Sequence, residues 1–505
     1  MTVQTPSTPG APSPSPTRAR PSTQSAPGNS PLPGVPAPGA PVPGGAPSPG
    51  APTPPDDLPV PFDGDGFQSF TGPASVRYPA PDVARGFMLL LIALANVVFW
   101  VDYLPEAAGG TVLDQAWIAL RGALVDRRSY PLFAMLFGFG LATMARRRIE
   151  AAMRAAEDAL PPDTDPQTRE RHLARARETA TVDARRLIRR RGLWMILFGA
   201  VHGTIFAGDI IGTYGIIAAV FAGTVVRRKR TRMLVVGIVM TLVCAWSMSY
   251  MGWAVGGGPE AAGITASESM AFSPVARATP GPSLPISNLI GWVFSTFFAL
   301  TSAMTIPATF LGVRLADSDL MSRPNRHRRA LLVGGAAALI VGAAGSVLNT
   351  RLTGGAPIYT MLTGSRPDPQ SLLTGPAMPV WLASLAPVID MLTGLVGACG
   401  WLALLAAWAG PGTGAPLHGA HWLLSAVGRR SMTVYIGQTV LFVLVFGTLR
   451  LAGAPALDEV LGVSVAVAVW AVLAGACAWM EHGGRTRGPL EILLRRAVAA
   501  SARRR

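Results

Sequence analysis

The chain has 505 residues, of which 50% are hydrophobic and only 14% are charged, so it is too apolar for an ordinary soluble enzyme. The formal net charge of +15 comes almost entirely from arginine, since Lys229 is the only lysine. The sequence contains no Gly-rich phosphate loop, no paired cysteines at zinc spacing, no His-Glu-x-x-His helix and no Gly-x-Ser-x-Gly elbow, which disfavours ATP-driven transport and a soluble hydrolase domain.

Residues 1–77 are dominated by Pro, Gly, Ser, Ala and Thr, with no periodic apolar face that could be buried. This composition predicts a disordered cytoplasmic tail. The Pro-rich spacing would also suit an SH3-like or WW-like partner. No charged segment followed by a short apolar run opens the chain, so we expect membrane insertion to begin with the first membrane helix rather than with a cleaved signal peptide.

Residues 78–484 are predicted to form an all-α, polytopic membrane bundle of about ten transmembrane helices, because each apolar stretch is close to the roughly 20 residues that cross a bilayer. The second and third stretches are short, which leaves nine or eleven spans as alternatives. The predicted spans are approximately 84–104, 130–145, 193–208, 210–226, 233–255, 287–314, 330–349, 388–409, 432–450 and 458–479.

Arginine-rich segments alternate with these spans. A cytoplasmic N-terminus places the cationic segments on the cytoplasmic side, as the positive-inside rule requires. We therefore expect a multi-pass protein of the bacterial cytoplasmic (inner) membrane with both termini cytoplasmic. The first outer loop is the exception, since it contains Arg121, Arg127 and Arg128. The segments that fit are 146–191, 227–232, 323–329, 429–430 and a basic amphipathic tail at 485–505.

Residues 146–191 alternate acids and arginines at helical spacing with few apolar residues. This pattern is typical of a solvated, salt-bridged cytoplasmic helix. A nucleic-acid-binding or lipid-binding element is the alternative. We favour the solvated helix, and therefore expect no nucleic acid as a partner. The expected partners are the lipid bilayer and a small-molecule substrate.

Polar residues within the spans are candidate site residues, because such side chains usually face the bundle interior or a water-filled cavity. In the first span, Arg85 and Asn96 fall near one helical face, eleven residues apart, and Asp82 lies one turn before Arg85. Helix capping by Asp82 and snorkelling of Arg85 to lipid phosphates would explain those two residues. Asn96 either lines a site or bonds a neighbouring helix.

His202 and Asp209 share a face, about 10 Å apart along the axis, if one helix continues between them. The alternatives are that Asp209 caps the fourth span and that His202 bonds a backbone carbonyl. We favour a functional His202, because an imidazole exchanges protons near neutral pH. In the ninth span Ser431, Tyr435 and Gln438 form a polar stripe, for which bonding between helices is the alternative.

Asp390, near the start of the eighth span, is a further intramembrane carboxylate and therefore a candidate site residue. We expect no metal site. His418 and His421 lack acidic or cysteine neighbours, and the three cysteines lie within apolar stretches, where they behave as small hydrophobes.

Several stretches, in order, resemble a bacterial membrane family, the YeiB-like proteins that carry the C-terminal domain of unknown function 418. PDVARGFMLLLIALANVVFW is similar to the family's Leu-Asp-x-x-Arg-Gly opening, YPLFAMLFGFGLATMARRR to its second helix, and FGAVHGTIFAGDIIGTYGI to its His…Gly-Asp-Ile-Leu…Tyr hairpin. VGRRSMTVYIGQTV and RGPLEILLRR resemble the signatures of the C-terminal domain. Val434 and Ile492 replace that domain's usual Asn and Trp.

The family's activity is unknown, but its opening motif resembles that of transmembrane acyltransferases. This resemblance implies an acyltransferase-like enzyme for a small sugar-like or lipid-linked substrate, with an acyl donor such as acetyl-CoA. His202 would then be the base, since no histidine stands in the loop after the first helix, where those enzymes have one. Asp209 would orient either His202 or the substrate, and Arg85 would bind an anionic group. Asn96 and Tyr435 would polarise the reacting centre, and Gln438 and Asp390 would bind substrate.

Two other hypotheses remain. In a proton-coupled secondary transporter, His202, Asp209 and Asp390 would titrate during transport with no covalent step. In a helical scaffold, the polar residues would only hold helices together.

Overall fold

The computed structural model describes residues 79–101, 104, 111–255, 284–353, 379–410, 417–455 and 457–503. The predicted tail at 1–77 lies outside these residues, as do most of the loops near 256–284 and 351–375. The described elements are helices, with no strand among them, which confirms the predicted all-α class. The helices are α1 Pro79–Asn96, α2 Val98–Val101, α3 Val112–Leu124, α4 Ser129–Asp158, α5 Pro166–Gly203, α6 Ile211–Val226, α7 Arg230–Val255, α8 Leu284–Ser302, α9 Thr305–Leu315, α10 Arg328–Thr353, α11 Val380–Trp408, α12 Gly419–Gly428, α13 Ser431–Leu451, α14 Glu459–His482 and α15 Pro489–Arg503.

Seven helical segments in the described part of the chain are long and apolar enough to cross a bilayer. This is the architecture of a polytopic membrane protein. They are Pro79–Val101, Arg230–Trp253, Leu284–Ser302, Pro324–Arg351, Val380–Trp408, Ser431–Leu451 and Glu459–His482.

The other predicted spans belong to elements of a different kind. The stretches at 130–145 and 193–208 are the apolar ends of α4 and α5, whose remaining parts are charged, and α6 is a shorter apolar helix. The apolar part of α5, Gly192–Gly203, is only about 18 Å long. Because that is less than a hydrocarbon core of about 30 Å, this part of α5 is too short to cross a bilayer by itself.

The predicted single span at 287–314 is two helices. Between α8 and α9 the chain turns at Met304, which has a left-handed backbone (φ 54°). The hydroxyl of Thr305 donates to the carbonyl of Ala299, 2.8 Å away, and so bridges the break. Such a break leaves backbone polar groups inside a membrane, where they need partners from the protein.

The segment predicted as a charged helix at 146–191 forms the charged C-terminal part of α4 and the charged N-terminal part of α5. Asp165 caps α5 by accepting a hydrogen bond from the Thr168 N–H, 3.0 Å away. Alanines on both helices are buried, which lets the two backbones approach closely. These alanines are Ala152, Ala156, Ala176, Ala180 and Ala184.

Candidate functional site

The last turn of α5 and the turn after it bring His202 and Asp209 into contact. The helix ends at Gly203, so the condition for a 10 Å separation along one axis, a helix that continues to Asp209, is not met. The chain folds back, and His202 Nδ1 lies 2.7 Å from Asp209 Oδ1. Both residues are buried, at 3% and 2% exposure.

The second carboxylate oxygen of Asp209 is also held. Oδ2 accepts hydrogen bonds from the backbone N–H of Gly212, at 2.9 Å, and from the indole N–H of Trp292, at 3.2 Å. The contact with Gly212 stabilises the start of α6, as a helix cap does. Asp209 thus serves as a cap and also binds His202. Asp209 is therefore fixed from three directions and orients the imidazole.

The other ring nitrogen of His202 faces a hydroxyl on α13. His202 Nε2 lies 2.9 Å from Thr439 Oγ1, and Thr439 is 3% exposed. A carboxylate at Nδ1 favours a proton on that nitrogen, which leaves Nε2 of the neutral ring as an acceptor for the Thr439 O–H. Asp209, His202 and Thr439 thus form a carboxylate–imidazole–hydroxyl chain, the arrangement that activates a hydroxyl in acyl-transfer enzymes.

Tyr435 lies one turn before Thr439 on α13. Its phenol oxygen accepts a hydrogen bond from the Ile210 N–H at 3.3 Å, and its ring centre lies 5.3 Å from that of His202. Since the oxygen uses a lone pair in this contact, its own O–H is still available as a donor. Tyr435 can therefore donate to negative charge that develops beside His202.

Aromatic rings cover this cluster. Phe206, in the turn after α5, contacts the His202 ring at a centroid distance of 6.1 Å. The same ring packs on Phe99 at 5.7 Å and on Trp100 at 5.6 Å, both from the end of the first span. This apolar cover excludes water and strengthens the polar contacts beneath it.

Three predicted site residues on or beside α1 have other contacts. Gln438 Nε2 donates to the carbonyl of Leu89 at 2.8 Å, which ties α13 to α1. Arg85 binds Asp82 at 3.2 Å and the Leu136 carbonyl at 3.1 Å. Asn96 is 8% exposed, and the described contacts do not join it to His202. The structure thus brings together His202, Asp209 and Tyr435, whereas Arg85 and Gln438 make other helix contacts.

Asp390 belongs to a second buried network. Its Oδ2 lies 2.5 Å from Nε of Arg127, and its Oδ1 accepts a hydrogen bond from Ser346 at 2.6 Å. The same Ser346 oxygen lies 3.0 Å from both terminal nitrogens of Arg128, which is fully buried. The described contacts do not connect Asp390 with His202.

Arg121 is buried as well, at 3% exposure. It binds Asp126 at 3.1 Å and Glu459 at 3.2 Å. Arg121, Arg127 and Arg128 are thus held by carboxylates, carbonyls and a hydroxyl inside the protein. They are not free loop cations, so they do not belong among the solvated loop arginines that the positive-inside rule counts.

Sequence reasoning missed two members of the His202 cluster. Thr439 follows Tyr435 by four residues and extends the polar stripe of α13, so helical spacing could have found it. Neither residue type nor spacing identifies Trp292 in the sequence, since an indole in a span usually packs against lipid or other helices. Among the described residues, no group of three or more His, Cys, Asp or Glu side chains could hold a metal ion.

The two quoted C-terminal signatures also contact each other and the end of α14. Arg430 is fully buried, and it binds Glu481 at 2.8 Å and the Ala426 carbonyl at 2.7 Å. Arg429 binds the other oxygen of Glu481 at 2.6 Å. This part of the sequence pattern therefore stabilises the ends of α12, α13 and α14.

Comparison with known proteins found no match among curated proteins and none among solved structures. Family comparison gave one match, which covers both C-terminal signatures. Residues 371–501 match the family described as protein of unknown function (DUF418), and the chain carries this domain in its C-terminal part, as the sequence predicts.

Proposed function

We propose that the protein is a membrane-embedded acyltransferase that acts on a hydroxyl group of a small sugar-like or lipid-linked substrate. The observation that carries this proposal is the chain from Asp209 through His202 to Thr439, with contacts of 2.7 and 2.9 Å. The donor is an acyl thioester such as acetyl-CoA. Asp209 orients the imidazole, His202 is the base, and Thr439 is the nucleophile.

In the first step His202 Nε2 takes the Thr439 proton while Oγ1 bonds to the acyl carbon. The carbon–sulfur bond breaks, and the leaving thiolate takes the proton from the imidazolium. In the second step the acceptor hydroxyl loses its proton to His202 and attacks the Thr439 ester. The bond to Oγ1 breaks, and the imidazolium returns the proton to this oxygen, which restores the threonine and the neutral base. Tyr435 donates a hydrogen bond to the oxyanion of each tetrahedral intermediate.

The contacts between arginine-rich segments support the proposed orientation, with both termini on the cytoplasmic side of a bacterial inner membrane. Arg146 donates to the Ala316 carbonyl at 3.1 Å, and Arg227 binds Glu178 at 2.8 Å. Trp194, where α5 becomes apolar, donates to Ser501 on α15 at 3.3 Å. These contacts bring the charged part of α5, the α6–α7 turn and the last helix to one side of the bundle.

Acyl-thioester turnover by the purified full-length protein in lipid nanodiscs tests the proposal. We expect His202→Ala and Thr439→Val to lower turnover at least 100-fold, since general-base and nucleophile roles are each worth that much. Thr439→Ser should retain activity and form an acyl adduct detectable by mass spectrometry. Thr448→Val is the matched control, because the exposed hydroxyl of Thr448, on the same helix, donates to the Leu444 carbonyl one turn earlier. Full turnover by Thr439→Val would exclude the covalent mechanism.

A proton-coupled secondary transporter is the second candidate. The broken helix pair α8–α9 favours this function. Trp292 on α8 donates a hydrogen bond to Asp209, and the break between α8 and α9 lies at Met304. Discontinuous helices of this kind surround substrate sites in transporters. Uptake into proteoliposomes that requires a pH gradient and His202, without acyl-thioester turnover, would establish this function instead.

A further inference from the structure

A groove of about 600 Å³ lies between α5, α6 and the start of α7, away from the His202 cluster. Its volume is typical of ligand sites, which measure about 300–1,000 Å³. One part of its lining is cationic, and the rest is almost entirely apolar. The cations are Arg185, Arg189, Arg227, Lys229 and Arg232, and the apolar residues are Leu193, Ile196, Ile216, Ala219, Val220 and Ala222.

Few acidic side chains neutralise these cations. Arg227 binds Glu178 in an exposed ion pair. For Arg185, Arg189, Lys229 and Arg232, the described part of the chain shows no carboxylate within ion-pair distance. Five converging positive side chains with one acidic partner attract an anion, and guanidinium groups suit phosphate oxygens in particular.

The groove also lies at the polar–apolar boundary of each helix that forms it. On α5 the boundary falls between Arg189 and Leu193, and on α6 it falls between Val220 and Arg227. Leu193 is 53% exposed and Val220 is 66% exposed, as expected of side chains that face lipid. The cations are therefore at head-group level, and the apolar wall below them is at acyl-chain level.

We propose that this groove binds a membrane lipid with an anionic phosphate head group. The phosphate lies among Arg185, Arg189 and Arg232, and one acyl chain lies along Leu193 and Val220. Gly223 makes room for the Arg185 side chain, which lies 3.4 Å from the position of an added Cβ. The same phosphate chemistry could come from a soluble anion, so the test must separate the two sources.

The full-length protein in nanodiscs or detergent micelles, probed by native mass spectrometry with phosphatidylglycerol, provides that test. We expect Arg189→Gln with Arg232→Gln to weaken phosphatidylglycerol binding roughly 30-fold, since each cation contributes about 1 kcal/mol toward anionic lipid. Arg171→Gln with Arg186→Gln removes the same charge from exposed positions outside the groove and should leave binding unchanged. Phosphatidylcholine should bind much more weakly to the unaltered protein.

A second variant tests the acyl-chain part without changing charge. Val220→Trp fills the apolar wall and should reduce phosphatidylglycerol binding at least fivefold while inorganic phosphate binding persists. Leu197→Trp, at an exposed position on α5 outside the groove, is the matched control. Inorganic phosphate binding with no lipid preference, or phosphatidylglycerol binding that survives both groove variants, would overturn the proposal.

Discussion

Glu491 holds the start of α13 through Thr433. Its Oε2 accepts the hydrogen bond of the Thr433 hydroxyl, and its Oε1 accepts from the backbone N–H groups of Met432, at 2.7 Å, and Thr433, at 3.1 Å. The residue before the helix, Arg430, makes no side-chain capping hydrogen bond there. The cap of α13 is thus supplied by a carboxylate 58 residues further along the chain. This contact joins the two signatures of the C-terminal domain.

Removal of this cap should destabilise the protein. Glu491→Ala leaves two N–H groups at the first turn of α13 without their acceptor and removes a favourable charge at the positive end of the helix. We expect a loss of about 1–3 kcal/mol, measured as a lower thermal unfolding temperature in detergent. Glu170→Gln, at an exposed position on α5, is the control and should change little. Equal unfolding temperatures for Glu491→Ala and the unaltered protein would contradict a capping role.

The ion pair between Asp390 and Arg127 should matter more for stability. Asp390→Asn leaves a largely buried guanidinium, 14% exposed, without its counter-charge. We expect a loss of about 3–5 kcal/mol in unfolding free energy, and recovery of much of it when Arg127→Met is combined with Asp390→Leu. Glu178→Gln removes an exposed pair and should cost less than about 1 kcal/mol. An effect of Asp390→Asn no larger than that of Glu178→Gln would contradict a stabilising role for this buried pair.

Residue spacing predicts part of the candidate site and misses the rest for identifiable reasons. The pattern of the α5–α6 hairpin selects His202 and Asp209 because both are polar within apolar stretches. It does not show that α5 ends at Gly203, and this ending creates their contact. Thr439 meets His202 across 237 residues of sequence, a separation that helical periodicity does not report.

The predicted helices agree with the structure where the length of an apolar stretch determines the helix. They differ from it where contacts with distant parts of the chain determine the structure. Long apolar stretches such as Ser431–Leu451 are helices close to their predicted limits. Arg121 and Arg128 look like loop cations in the sequence, since their buried acceptors lie on other parts of the chain. The break at Met304 does have a sequence signal, since Pro307 lies in the first turn of α9, but the predicted span at 287–314 runs through it.

Asp165 should make the first turn of α5 sensitive to acid. Its hydrogen bonds with the Thr168 side chain and backbone hold the pKa of this carboxyl below its ordinary value of 3.8. A lowered folded-state pKa means that the carboxylate stabilises the helix above about pH 4, and that this contribution is lost as the pH falls through the folded-state value. Hydrogen exchange of the first turn of α5 should therefore quicken, relative to the rest of the helix, as the pH falls from about 5 to 3.

Asp165→Asn keeps a cap that does not titrate, so the added acid sensitivity should disappear. Asp163→Asn, at an exposed neighbouring position, should leave it intact. If hydrogen exchange in Asp165→Asn still quickens at low pH, the acid sensitivity belongs to a group other than Asp165.

Gly428 should be hard to replace, because it lies at the close contact between α1 and α12. A Cβ added there would overlap the backbone carbonyl of Asp82, and backbone cannot rotate away as a side chain can. Gly428→Ala must therefore separate the two helices and disturb the neighbouring buried Arg430, so we expect a loss of at least 3 kcal/mol or failure to fold. Gly447→Ala on α13 meets no atom within 4 Å, and should be neutral or stabilise its helix by up to about 1 kcal/mol. Folded yield and unfolding temperature of the two variants, expressed side by side, measure the difference. Comparable stability of both proteins would show that α1 and α12 are not packed backbone to backbone.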